Sequence, residues 1–364
     1  MSAARWRHAM NAPVGSLAAA AGAAAPLPRP LRSPETTLRI APAWWLLLAL
    51  LLVYPWIATP FFTFQIGAQA LVLGVIALSL ALLAGYGGMV SLSQMTVAGI
   101  AGYTLAIVGA AAATASSLNL GWPWWLAVPI AIAIATLAAT AIGLLAVRTE
   151  GIYTIMITLA VGVAFYYLAQ QNYTVFNGFQ GVSKVFPPEL FGLDWRAPLP
   201  FYYLALAVAL LAFGGVAYFA RTPFGIALQG IRDNPRRMRA LGFDVTLHRV
   251  AAHALAGFVA AVGGVLWVWY HGRISPGTIG TGAMINVLIV AVLGGLRRPL
   301  GAFIGALVFV LLQNFAIDLV DRERFNLVIG GVFLAIVLFS PDGLLGLWQR
   351  LTSAVRSTPP RRQP

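Results

Sequence analysis

Long apolar segments constrain the fold of this chain most, because so much apolar surface is unstable in water. Four stretches, 46–62, 66–84, 124–147 and 201–220, are nearly free of charge, and runs of about 18 or more such residues are typical of membrane helices. Only 9% of the 364 residues are charged and 60% are hydrophobic, whereas soluble domains carry roughly a quarter charged residues. The sequence therefore predicts an all-α integral membrane protein.

The distribution of positive charge predicts how many times the chain crosses the membrane. Ten apolar segments follow a tail of Ala, Pro and Arg at residues 1–43: 44–63, 66–84, 89–113, 123–146, 151–170, 201–220, 249–270, 281–296, 299–320 and 326–348. With a cytosolic N-terminus, 18 of the 23 Lys and Arg residues fall on the cytosolic side, as the positive-inside rule requires. We therefore expect about ten transmembrane helices in one domain (44–348), a disordered N-terminal tail (1–43), a C-terminal tail (349–364) and both termini in the cytosol.

Two of these segments begin with residues that interrupt helices. The third opens GYGGMVSLSQ (85–94) and the eighth opens ISPGTIGTGAMIN (274–286). On the predicted topology they enter from opposite sides, so segments 2–5 and 7–10 form two inverted halves. Interrupted helices at matching places in inverted halves indicate a transport pathway. The candidate pathway residues are the polar side chains Ser91, Ser93, Gln94, Thr278 and Asn286.

Small and polar residues in membrane helices also have a packing role, because they let helices approach closely. We expect that role for seven glycines: Gly99, Gly102, Gly257, Gly263, Gly264, Gly301 and Gly305. For Ser91, Ser93, Gln94 and Asn286, packing and pathway lining remain equally open from the sequence.

Several chemistries are excluded by what the chain lacks. It has no cysteine and only four histidines, and no His/carboxylate cluster has metal-ligand spacing. The net charge of +13 follows from the positive-inside rule, so no nucleic-acid partner is expected. Asp318 and His253 are the rare ionisable residues of the spans, which argues against proton coupling, and His253 is expected to be hydrogen-bonded inside the bundle. Lys184 lacks the spacing of a phosphate-binding loop, so we predict neither ATP hydrolysis nor a cofactor or metal in this chain.

Charge is concentrated in one stretch, Gly225–Asp244, with six charged residues in twenty. Thr222-Pro223 and Asn234-Pro235 are typical helix starts, with Thr and Asn as caps and Pro at the first position. Gly242 is typical of a helix end. We therefore expect two short helices in a cytosolic loop at 221–248, the second with Met238 and Leu241 three residues apart on one face. A charged turn that only fixes topology or touches anionic lipid is the alternative.

The loop sequence RTPFGIALQGIRDNPRRMRALGFD (221–244) resembles the cytosolic coupling loop of permease subunits of bacterial ABC importers for branched-chain amino acids. The matching residues are Phe224, Gly225, Ile231, Arg232, Asp233, Asn234, Leu241 and Gly242. GYGGMVSLSQMTVAGIAGYTLAI, RTEGIYTIMITLA, ISPGTIGTGAMINVLIVAVLGGLRRPLGAFIGALV and FSPDGLLG resemble further family motifs, so the similarity covers most of residues 45–348. Arg236, Arg237 and Arg239 stand where the family usually has Ala or Glu.

The resemblance implies a permease subunit in the bacterial inner membrane, working with two ATP-binding subunits that hold ATP and Mg, a homologous second permease chain and an extracytoplasmic binding protein. The loop, including Arg236 and Arg237, would dock in a cleft on an ATP-binding subunit, and the outer loop 171–200 would receive the binding protein. The implied solutes are branched-chain or other hydrophobic amino acids. Urea or short amides are an alternative within the class, and an ion-coupled secondary carrier or a membrane enzyme lies outside it.

Overall fold

A computed structural model of the chain describes residues 42–109, 119–149, 151–189, 192, 194–319, 330–331, 334 and 343–346. Residues 1–41 of the predicted N-terminal tail, the C-terminal tail, the end of the third apolar segment and most of the tenth lie outside the described residues. The chain divides into two units, Met1–Leu51 and Leu52–Pro364.

Helices make up most of the described residues, and each of the first nine predicted apolar segments holds one. They are α1 (Pro42–Ile57), α2 (Phe62–Tyr86), α3 (Gln94–Val108), α4 (Trp124–Ala146), α5 (Ile152–Gln171), α6 (Tyr173–Phe176), α7 (Pro198–Phe219), α8 (Pro223–Asp233), α9 (Pro235–Ala240), α10 (Val245–His271), α11 (Thr281–Gly294) and α12 (Pro299–Leu319). Two short strands, β1 (Val182–Ser183) and β2 (Arg273–Ile274), pair antiparallel.

Within the described residues, five helices are long and apolar enough to cross a bilayer: α2, α4, α5, α7 and α10. A sixth span results if α11 and α12, which meet at an angle of 116°, are counted as one broken span. The apolar helices α1 and α3 are shorter than the roughly 20 residues that a full crossing requires. The chain is thus an all-α, multi-pass membrane protein, while the count of ten spans and the inverted halves stay predictions.

Helix α2 lies at the centre of the bundle. In its most apolar stretch 89% of the residues are buried, against 22% in α5. Both of its ends are wound as π-helix, at Phe62–Ala68 and Leu82–Tyr86, and such turns are frequent at functional sites. Its buried residues form one apolar cluster with side chains of α8, α10, α11 and α12.

Small residues allow the helices around α10 to approach closely. A Cβ added at Gly257, Gly263 or Gly264 would collide with Ala139 of α4, Ile76 of α2 and Ala98 of α3 respectively. The same holds for the other glycines predicted to pack, so the packing role is confirmed for all seven. Helix α4 contributes a buried stripe of alanines four residues apart, at 127, 131, 135 and 139, which lie on one helical face.

The described part of the loop at 171–200 is folded against the start of the second interrupted segment. Val182 pairs with Ile274 and Ser183 with Arg273, and the amide of Val185 donates to the carbonyl oxygen of Gly272 at 3.1 Å. The short helix α6 begins at Asn172, whose side chain accepts from the Val175 amide. The loop is therefore tied by its backbone to residues that lead into α11.

Candidate coupling site and translocation segments

Helix α8 starts as the sequence predicts. The Thr222 hydroxyl accepts from the Gly225 amide at 3.2 Å, and Pro223 occupies the first turn. The same hydroxyl donates to the carbonyl oxygen of Phe219 at 2.7 Å, which ties the cap to the end of α7. An added Cβ on Gly225 would collide with the Phe219 carbonyl, so a glycine is needed for this tight junction.

One face of α8 is inserted into the protein. Leu228 and Ile231 are fully buried, and Leu228 lies next to Gly87, just beyond the end of α2. The half-buried ring of Phe224 stacks on the imidazole of His248 in α10, with centroids 4.6 Å apart and planes inclined by 12°. Helix α8 is therefore seated between the end of α2 and the start of α10.

Arg232 and Asp233, at the end of α8, form the one ion pair found among the described residues. The Nη2 and Nε atoms of Arg232 both lie 2.9 Å from Oδ1 of Asp233. The Nη1 atom donates to the carbonyl oxygen of Gly85, inside the last π turn of α2. The Asp233 side chain is 67% exposed and that of Arg232 33% exposed, because Arg232 reaches back toward the membrane-spanning bundle.

Helix α9 carries the exposed charge. The Asn234 side chain caps it by accepting from the Arg237 amide at 3.0 Å, as predicted. Arg236, Arg237 and Arg239 are all exposed. The one half-buried hydrophobic side chain of α9 is Met238, which packs on Gly230.

The turn after α9 confirms the predicted helix end at Gly242. The Gly242 amide donates to the Arg239 carbonyl at 3.0 Å and the Phe243 amide to the Met238 carbonyl at 3.1 Å, a pair that defines the Schellman motif. Gly242 has a φ of 88°. Because the helix ends at Ala240, Leu241 leaves its face and is 64% exposed, so it does not join Met238 in the packing.

The first interrupted segment brings three of the five predicted pathway residues together. Between α2 and α3 the backbone is irregular, and Ser91, Ser93 and Gln94 are all buried there. The hydroxyl oxygens of Ser91 and Ser93 are 2.9 Å apart, and the Ser79 hydroxyl of α2 donates to Oε1 of Gln94 at 3.0 Å. The Leu92 amide donates to the Thr158 hydroxyl of α5 at 3.1 Å. These bonds hold the segment between α2 and α5.

The other two predicted pathway residues lie on separate elements. Thr278 is half-buried in the 3₁₀ turn Pro276–Ile279, and its hydroxyl donates to the Ser275 carbonyl at 2.6 Å. Asn286 is exposed on α11, next to Ile285, which is 43% exposed. The second interruption therefore exists as predicted, but the side-chain amide of Asn286 lies at the surface of the chain.

Some residues of this region are not evident from the sequence. The Gln229 side chain donates to the carbonyl oxygen of Ala220 at 2.9 Å and to that of Gly225 at 3.1 Å, and so satisfies the end of α7. Thr158 and Ser79 hold the first interrupted segment from distant helices. Nothing in a spacing pattern signals these partners, because they lie far apart in sequence or act through a single side chain.

His253 is buried inside the bundle, and its Nδ1 atom lies 3.1 Å from the Arg249 carbonyl oxygen. The hydrogen bond predicted for this histidine is therefore present.

Together the fold and site define a polytopic helical membrane protein with interrupted helices and a capped, charged helix pair that is seated on the first interruption. The chain belongs to the family of permease components of branched-chain amino acid transport systems, whose sequence profile matches residues 62–337.

The relatives that this chain resembles are named for different solutes. Over 294 residues, 74% of this chain, it is 25% identical to the high-affinity branched-chain amino acid transport system permease protein LivM of Salmonella typhimurium and spans 65% of that protein's length. It is 28% identical over 316 residues to the probable branched-chain amino acid transport permease protein LivH of Methanocaldococcus jannaschii, covering 84% of this chain and 90% of LivH. It is also 24% identical to the ribose import permease protein RbsC of Haemophilus influenzae, over 67% of this chain and 76% of RbsC. No solved structure matches the chain.

Proposed function

We propose that the chain is the transmembrane permease subunit of an ATP-binding cassette importer that moves branched-chain, hydrophobic amino acids across the bacterial inner membrane. Separate ATP-binding subunits drive the transport, and this chain has no catalytic or cofactor role. The proposed assembly contains two such subunits, a homologous second permease chain and an extracytoplasmic binding protein.

The observation that carries the proposal is that one helix of the loop at 221–248 is buried in the bundle and the other is exposed and charged. The buried face of α8, with Leu228 and Ile231, fixes the loop to the bundle, whereas α9 presents three arginines to its surroundings. A rigid element with a buried base and an exposed charged surface suits transmission of force from a soluble partner. A turn that merely fixes topology needs the charges but not the two helix caps and the glycine turn.

The proposed pathway runs beside α11 and the first interrupted segment. Asn286 exposes an amide on an otherwise apolar helix, and a polar group that faces lipid in the middle of a membrane is costly. A water-filled path or the second permease chain removes that cost. Ser91, Ser93, Gln94 and Thr278 belong to irregular backbone, which is tolerated at membrane depth only where it is buried or lines a cavity.

The proposed topology has ten spans in two inverted halves with both termini in the cytosol. It places α8 and α9 on the cytosolic side and the loop at 171–200 outside, where its backbone pairing with β2 offers the binding protein a fixed surface.

The choice of solute rests on the family and on the polarity of the bundle. The side chains that are both polar and described as buried are hydroxyls, amides and one histidine, which suits a solute with an apolar side chain. The resemblance to a ribose permease makes other small solutes, urea and short amides included, the competing candidates.

Affinity purification from the native membrane in mild detergent, followed by mass spectrometry, tests the proposed assembly. The complex is then reconstituted in proteoliposomes with its binding protein, and uptake of radiolabelled leucine is measured with and without ATP. We expect ATP-dependent uptake that excess valine suppresses and that ribose and urea leave unchanged. Leucine uptake by the chain alone, without ATP, contradicts the importer and favours a secondary carrier. Suppression by ribose or urea reassigns the solute.

A further inference from the structure

We propose that Arg232 is a positioning residue that transmits movement of the loop at 221–248 to the interrupted segment at 87–93. This inference rests on the proposed coupling function and deepens it. It separates Arg232, whose partly exposed side chain is bonded to α2, from the arginines of α9, with which the sequence pattern groups it.

The guanidinium of Arg232 bridges two elements. One edge is held by Asp233 Oδ1, 2.9 Å from both Nε and Nη2, while Nη1 donates to the carbonyl oxygen of Gly85. The aliphatic stem passes over Gly88, where an added Cβ would lie 2.6 Å from Cγ of Arg232. Gly88 has a φ of 68°, so backbone conformation and the arginine stem both require a glycine. The side chain therefore contacts both the last turn of α2, at Gly85, and the start of the segment, at Gly88.

Packing around this bridge makes it stiff. Leu228, one turn earlier in α8, lies against Gly87 and belongs to the same buried cluster as Met89. Ile231 is fully buried beside it. A displacement of α8 thus cannot be absorbed by sliding over the bundle, because close-packed interiors transmit strain.

The far end of the interrupted segment is anchored to other helices. The Leu92 amide is bonded to Thr158 of α5 and the Gln94 amide oxygen to Ser79 of α2. The last turn of α2, just before the segment, also contacts the junction between α11 and α12. A Cβ on Gly85 in that turn would collide with the carbonyl oxygen of Leu296. A displacement of Arg232 is therefore transmitted to the residues between Gly85 and Gln94, which include the candidate pathway residues Ser91 and Ser93.

Arginine suits this position better than lysine. Its planar guanidinium has five N–H donors in a fixed fork and can serve a carboxylate on one edge and a carbonyl on the other. A lysine ammonium is a compact charge on a flexible stem, so it can hold the carbonyl or the carboxylate without coupling them rigidly.

The test is hydrogen–deuterium exchange of the complete transporter in lipid nanodiscs, compared without nucleotide and with ATP plus vanadate. Two amides of the segment are hydrogen-bonded, Met89 to the Leu83 carbonyl at 3.0 Å and Leu92 to Thr158 at 3.1 Å, so their exchange reports its rearrangement. In the unmodified complex we expect nucleotide-dependent changes in peptides covering both 85–93 and 223–241. In Arg232→Ala we expect the change at 223–241 to persist and the change at 85–93 to be lost.

A second variant and a control keep the outcomes separate. Arg232→Lys keeps the positive charge but lacks the rigid fork of the guanidinium, and it is expected to lose the same response at 85–93, which covers the case that Arg232→Ala fails to fold. Arg148→Ala removes an exposed arginine outside the loop and is expected to behave as the unmodified protein. An unchanged response at 85–93 in either Arg232→Ala or Arg232→Lys overturns the role of Arg232. Absence of any response at 223–241 in the unmodified complex overturns the coupling function itself.

Discussion

Replacing Gly242 tests the coupling function at a position that touches nothing else. Gly242 closes α9 with a φ of 88°, and no heavy atom lies within 4 Å of an added Cβ. A Cβ there meets no atom of this chain, so within the chain a substitution acts through the backbone conformation. We predict that Gly242→Val weakens the Schellman turn and separates ATP hydrolysis from uptake, while the protein still assembles in the membrane.

The magnitude follows from the cost of a left-handed conformation. A side chain with a Cβ in that region costs about 1–2 kcal/mol, and a β-branched side chain lies at or above the upper end. Helix α9 has only six residues, far fewer than the 12–15 that an isolated helix needs to be even marginally stable. The turn is thus a large part of what holds it, and 1–2 kcal/mol lowers the ratio of formed to frayed α9 by roughly 5–30-fold.

The assay compares ATP hydrolysis and leucine uptake per reconstituted complex, and Gly242→Asn is the matched control. Asn tolerates positive φ much better than Val, so the Asn variant should retain most of its coupling. We expect uptake per ATP hydrolysed to fall at least fivefold in the Val variant at equal membrane content. If Val and Asn variants both transport as the unmodified protein does, the exposed helix is not a mechanical contact.

Three further substitutions test the base of the loop and the pathway. Leu228→Ala should lower stability by about 2–5 kcal/mol, because this side chain is fully buried, and the melting temperature of the purified complex measures the loss. Gln94→Leu should reduce uptake without preventing assembly, because the Ser79 hydroxyl keeps a second acceptor, the Ile76 carbonyl, at 2.6 Å; transport and membrane content are measured together. Asn286→Leu should alter uptake with unchanged melting temperature, because the amide is exposed. Normal uptake in both pathway variants contradicts the assignment of pathway residues, and an unchanged melting temperature in Leu228→Ala contradicts the seating of α8.

The loop was predictable from the sequence because its helix boundaries are local. Thr222, Asn234 and Gly242 act within three or four residues of themselves, through caps and a turn that leave a residue pattern. The apolar segments were predictable for the same kind of reason, since membrane helices satisfy their backbone internally. The packing glycines followed from residue size alone.

Contacts between distant elements were not predictable. The sequence groups Arg232 with Arg236 and Arg237 in one charged run, yet the first reaches Gly85, 147 residues away, and the other two are exposed. The prediction for Leu241 was wrong for a different reason. Its spacing from Met238 predicted a shared helical face, but the helix ends one residue before Leu241. The partners Thr158 and Ser79 depend on how α2, α3 and α5 pack, which no local pattern encodes.

On the proposed coupling function, the separation of α8 from α9 lets the loop be both firmly held and responsive. Its buried half resists displacement, because lifting Leu228 and Ile231 out of the bundle exposes apolar surface worth about 1.5–3 kcal/mol for each side chain. Its exposed half is held mainly by an asparagine cap and a glycine turn, each worth only about 1 kcal/mol. A partner that grips α9 therefore moves the loop as a unit only if the connection at Asn234 stays intact. On the proposed coupling function, the Asn234 connection, worth about 1 kcal/mol, is weaker than the buried base of α8, so force applied to the exposed arginines is lost there first.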